Sequence, residues 1–146
     1  MTGIFDPELF GNEEQEELST ERVLIPVGVH QAYIAELKFA GGTSEKTGED
    51  WHRADVKFEI TEPSVLAEME REKVAITEGY MLEIDESTGR LATGKGKNYR
   101  LGQLRAAAGK SKGPLNDIVG CQVLIEIKHR TYEGKVREQV ASVAAA

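Results

Sequence analysis

Three stretches of the chain set cations beside a single aromatic ring. The first holds Lys46, Trp51 and Arg53, the second Lys95, Lys97, Tyr99 and Arg100, and the third Lys128, Arg130, Tyr132, Lys135 and Arg137. Cations grouped in this way track a row of phosphates, and an exposed ring offers a face on which an unpaired base stacks. Tyr132 is the best placed of the rings, because a hairpin tip cannot easily bury it. Trp51 stands at a strand start between Asp50 and His52, where exposure and burial are both open. Tyr99, at a helix start, serves either as a contact or as a staple between helix and body. Tyr33, Phe39, Phe58 and Tyr80 read as core. The competing reading of the last group's cations is the solvated face of an amphipathic sheet.

Other chemistries find less support. Residues Gly89 to Gly96 (GRLATGKG) match the phosphate-binding pattern G-x-x-x-x-G-K-[ST] up to its last position, where Gly96 replaces the magnesium-binding hydroxyl. His30, His52 and His129 are scattered and show no ligand spacing with Cys121, so no metal site or other cofactor is expected. No nucleophile motif appears, and no enzyme activity is expected.

The charge distribution points the same way as the cationic groups. All of the net charge of −7 lies in residues 1–21, which carry Asp6, Glu8, Glu13, Glu14, Glu16, Glu17 and Glu21 and no Lys or Arg. Between Ser87 and Leu115 the pattern reverses, with Arg90, Lys95, Lys97, Arg100, Arg105, Lys110 and Lys112 and no acid. A basic segment of this kind binds a polyanion, and an acidic arm either competes for that segment or recruits a partner. The arm also holds an apolar cluster of Ile4, Phe5, Leu9 and Phe10, suited to docking on a partner or folding back on the domain.

Elements must position these groups. At 146 residues, with 40% hydrophobic and 29% charged content, the chain is expected to form one domain (residues 22–146) preceded by a flexible arm (residues 1–21). Val23 to Phe39 reads as a long strand bent at Gly28, and Gly41 to Asp50 as an exposed hairpin loop. Trp51 to Ile60 alternates as a half-buried strand with Val56, Phe58 and Ile60 on one face. Pro63 opens a short amphipathic helix over Ser64 to Ala75, and Gly79 to Ile84 is a third strand. Asn98 to Ala108 has helical spacing and stops at Gly109. Cys121 to Thr131 and Lys135 to Val143 form a closing hairpin through Tyr132, Glu133 and Gly134, with Cys121 a small core residue.

The resulting fold class is mainly β: a five-stranded OB-fold-like barrel with a helix between strands three and four, an inserted short helix and an acidic N-terminal arm. In that fold, ligands bind across strands two and three between the first hairpin loop and the loop joining strands four and five, which would gather the first group from one side and the third from the other, with the second available to extend the track.

The chain resembles the small single-stranded DNA-binding proteins encoded by tailed bacteriophages. The resemblance rests on IPVGVHQAYIAELKFAGGTSEKTGEDWHRADVKFEI, GKGKNYRLGQLRAAAG and VGCQVLIEIKHRTYEGKVREQV. It implies sequence-tolerant binding of single-stranded DNA during phage replication or recombination, in the host cytoplasm. Bacterial relatives carry an acidic partner-binding tail at the C-terminus, whereas here the acids come first. On its charge alone, the arm is expected to reach replication or recombination proteins or to cover the chain's own groove. A homo-oligomer is left open, and no signal peptide or membrane span is expected. The alternative is a phage structural or interaction protein built on a small β-barrel, docking through Phe5 and Phe10.

Overall fold

The computed structural model describes residues 5–146. Five long strands form one antiparallel sheet in the order β3-β2-β1-β6-β7, where β1 is Gly28–Thr43, β2 Asp50–Ile60, β3 Val74–Leu82, β6 Gln122–Tyr132 and β7 Lys135–Ala145. Two short strands, β4 (Ile84–Asp85) and β5 (Arg90–Leu91), pair in a separate ribbon. The helices are α1 (Pro7–Phe10), α2 (Pro63–Met69) and α3 (Tyr99–Ala107), with a 3-10 turn at Leu115–Ile118. The mainly β class with five principal strands is as the alternation requires.

Alternation also explains the core. Ala54, Val56, Phe58 and Ile60 of β2 face Ala32 and Ile34 of β1, Val123, Ile125 and Ile127 of β6 and Val140 of β7, all buried. Leu101 and Leu104 of α3 and Val65 and Met69 of α2 complete it. β1 serves two partners, pairing with β6 over Gly28 to Tyr33 and with β2 from Ala32 onward. A register shift between Ile34 and Glu36 leaves Ala35 as a bulge, the kind of irregularity that bends a strand. Gly28, at φ 141°, begins the strand and does not interrupt it.

Several boundaries move for local reasons. Glu70 turns left-handed (φ 53°) and ends α2, so Val74 and Ala75 belong to β3 and not to the helix. The closing turn has two residues, Glu133 (φ 50°) and Gly134 (φ 75°), which is the left-handed pair a tight hairpin turn requires; Tyr132 is the last residue of β6. Cys121 is half-buried, not fully buried. Phe39, expected in the core, is 58% exposed, whereas Phe58 and Tyr80 are buried.

β3 and β7 are the two edges of the sheet, and no ladder joins them, so the sheet does not close into a barrel. The carboxylate of Glu78 on β3 spans the gap, Oε2 accepting from Val140 N of β7 at 3.3 Å. No helix among the described residues is long and apolar enough to cross a membrane.

In the arm, Pro7 at the helix start and Asp6, whose carboxylate accepts from Glu8 N at 3.0 Å, set the single turn of α1. Phe5 and Phe10 meet with ring centroids 4.9 Å apart, and they and Leu9 remain exposed. Ile4, the fourth member of that cluster, lies outside the described residues.

Candidate functional site

The closing hairpin has two chemically different faces. Cross-strand partners share a face and alternate residues along a strand share it too. The register Lys128↔Gln139, Arg130↔Arg137 and Tyr132↔Lys135 therefore places these six side chains together. These six are four cations, one aromatic ring and one amide, and the half-buried Glu126 is the next residue on that face of β6. Lys128, Arg130, Tyr132, Lys135 and Arg137 are all exposed. Arg130 and Arg137 stand directly opposite each other, an arrangement that costs stability because like charges repel across strands. Among the described residues neither has a carboxylate within ion-pair distance.

The reverse face anchors the root of the arm. His129 and Glu138 are the opposed pair there. His129 Nε2 donates to Ile25 O at 2.6 Å, while Glu138 accepts from Ile25 N at 3.1 Å and from Arg22 at 2.6 Å. Ile25 is buried, and His30 donates to the neighbouring Pro26 O at 2.7 Å.

A groove of about 460 Å³ opens beside the cationic face, where Arg130, Tyr132, Arg137, Gln139 and also Glu138 meet Arg100 of α3 and Glu78 of β3. Arg100 is positioned by the residue that precedes its helix. Asn98 takes a left-handed conformation (φ 51°) and laces the loop to the end of β3, its side chain accepting from Glu83 N at 2.8 Å and donating to Glu83 O at 2.9 Å and Ala92 O at 3.0 Å. Arg100 then lies 4.7 Å from the Tyr80 ring centroid, with Nη2 3.2 Å from Glu78 Oε1 and Nη1 3.4 Å from Gly79 O. Burial pushes the Tyr80 hydroxyl up to about 12, the Arg100 charge working against that shift and the Glu78 charge with it.

Trp51 and Arg53 form a cluster of their own. Trp51 lies over Gly42, where a Cβ would stand 3.1 Å from the indole, and Arg53 crosses Gly79, where a Cβ would come within 2.9 Å of its Cδ. The Arg53 guanidinium sits 5.3 Å from the indole centroid, and its Nε donates to Asp55 at 2.6 Å, so its charge is already answered.

The groove thus unites Arg100, Arg130, Tyr132 and Arg137, and the same hairpin face adds Lys128 and Lys135. Trp51, Arg53, Lys46, Lys95 and Lys97 do not line that groove. Lys46 is exposed in the first hairpin loop; Lys95 and Lys97 are exposed ahead of α3, where Lys97 reaches Glu83 at 4.0 Å. Tyr99 is 65% exposed and does not staple its helix to the body. Arg105, counted in the basic segment, instead clamps the end of α3 by donating to Lys110 O at 2.6 Å and Gly113 O at 2.7 Å.

Sequence reasoning missed Gln139, whose alternation with Arg137 could have flagged it, and Glu78, which no local signal marks. Among the described residues no cluster of His, Cys, Asp or Glu is arranged to hold a metal ion. A scan of protein-family models and a search of curated proteins gave no match to the chain.

Proposed function

We propose that the chain is a sequence-tolerant single-stranded DNA-binding protein acting in phage replication or recombination, with the strand held on the closing hairpin and in its groove. The observation that carries this reading is the opposed, carboxylate-free pair Arg130 and Arg137 flanked by Tyr132. Holding two guanidiniums face to face costs folding energy, and a phosphate between them offsets that cost by charge-assisted hydrogen bonds. Each neutralised phosphate releases counterions, which makes binding strong and salt-dependent without reading sequence. Tyr132, 60% exposed, supplies a stacking face that any base can use. Trp51, half-buried on its glycine floor, is a second such face farther along the sheet.

The architecture supports a partly open OB-fold-like barrel as the framework. Its five strands, α3 between the third and fourth long strands, and the Glu78 contact between the edge strands support that reading. The acidic arm, rooted on the back of the hairpin, is assigned to covering the cationic face or engaging a replication partner.

The test is a titration of fluorescein-labelled oligo-dT at two salt concentrations, with a matched duplex and the Arg130→Gln/Arg137→Gln variant as controls. Tight, salt-sensitive binding to the single strand, lost in the variant, is expected. Absence of binding at low salt by the full chain and by a chain lacking residues 1–21 sinks the proposal. A virion or interaction protein is then favoured by the exposed Phe5, Leu9 and Phe10; such a protein copurifies with particles and ignores oligonucleotides.

A further inference from the structure

We propose that Glu78 sets the affinity of the groove by holding Arg100 as an internal ion pair that an incoming phosphate must displace. The proposal rests on the strand-binding reading above and adds a residue that opposes binding.

Three guanidiniums line the groove, and they are not equivalent. Arg130 and Arg137 lack carboxylate partners among the described residues, whereas Arg100 is paired with Glu78 at 3.2 Å. The two partners are unequally exposed: the Arg100 side chain is 52% exposed and that of Glu78 19%. A phosphate entering the groove therefore meets Arg100 before it meets the carboxylate.

Glu78 is built to stay behind when Arg100 leaves. Its second oxygen is occupied by Val140 N at 3.3 Å, so the carboxylate keeps a backbone partner across the seam between β3 and β7. Arg100 likewise keeps its place on the face of Tyr80 while its fork turns from one oxyanion to another. Guanidinium pairs with phosphate as well as with carboxylate, so the exchange trades one charge-assisted contact for another. The other carboxylate of the groove, Glu138, is occupied by Arg22 and Ile25 N and does not compete for Arg100.

Glu78→Gln preserves size and an acceptor for Val140 N while removing the charge. Oligo-dT titrations of the full chain, Glu78→Gln, Arg100→Gln and the double variant at two salt concentrations test the exchange. Glu78→Gln is expected to bind roughly two- to five-fold tighter, the range of a partly exposed ion pair. Its salt slope is expected to steepen by about 0.7, one additional phosphate on a single strand. Arg100→Gln alone is expected to have a smaller effect and, in the double variant, to erase the gain.

No gain in Glu78→Gln, or a gain that survives Arg100→Gln, overturns the proposal. The parent chain and the Arg130→Gln/Arg137→Gln variant report separately on strand binding itself, so the two failures are told apart. Should Glu78→Gln fail to fold, the Arg100 Nε–H resonance of the parent decides: it shifts at oligo-dT saturation if the partner changes, and an unmoved resonance overturns the exchange.

Discussion

His129 and Glu138 face each other across the closing hairpin and between them take both backbone polar groups of Ile25, the carbonyl at 2.6 Å and the amide at 3.1 Å. Two side chains thus do for the arm's root what a neighbouring strand does elsewhere in the sheet. The hairpin that presents the cationic face is supported from behind by residues that precede the first strand.

The grip predicts a sharp difference between two truncations. Removing residues 1–21 leaves Arg22 and Ile25 in place and should leave urea unfolding nearly unchanged. Removing residues 1–26 strips Glu138, only 6% exposed, of both partners and should cost about 2–4 kcal/mol. Glu138→Ala in the full chain should cost about 1–3 kcal/mol for the same reason.

Substitutions on the cationic face should separate charge from stacking. Arg130→Gln and Arg137→Gln should each weaken oligo-dT binding and flatten the salt slope by about 0.7. Tyr132→Ala should weaken binding by about 1–3 kcal/mol with the slope unchanged. All three side chains are exposed, so Tyr132→Ala should move the unfolding midpoint little, while each arginine substitution should raise it slightly by relieving the Arg130–Arg137 repulsion. Anisotropy titrations at several salt concentrations read both quantities.

Deleting residues 1–21 removes seven acids and no bases. If the arm covers the cationic face, the truncated chain should bind oligo-dT more tightly and with a steeper salt slope. Equal affinity and slope for the two chains would exclude that role and leave the arm to a partner.

Tyr80 makes stability fall at high pH. Its hydroxyl is pushed up to about 12 in the fold, above the ordinary tyrosine value of 10.0 in the unfolded chain, so the folded state holds the proton more firmly. Its contribution is complete below about pH 10 and is lost as pH rises toward 12, by roughly 2–3 kcal/mol in all. Tyr33 is pushed upward too, chiefly by its hydrogen bond to Glu59. Urea unfolding of the parent and of Tyr80→Phe across this window isolates the Tyr80 part, and an identical decline in both would refute the assignment.

What the residues determine by themselves is local. Alternation over Trp51 to Ile60 and over the closing pair of strands marks strands and their buried faces, because successive side chains point to opposite sides. Helical spacing marks α3, and the acids of the arm are visible by inspection. Turn length already escapes this reading. A three-residue turn through Tyr132 would have paired Arg130 with Val136, whereas the left-handed pair Glu133 and Gly134 makes the turn two residues long and sets Arg130 against Arg137. Only the tertiary structure decides which charges are already answered. Arg100 meets Glu78 twenty-two positions away, and Ile25 meets His129 one hundred and four positions away. Such contacts depend on how separate elements meet, α3 against β3 and the segment before β1 against the closing hairpin, and residue periodicity within a strand carries no record of that meeting.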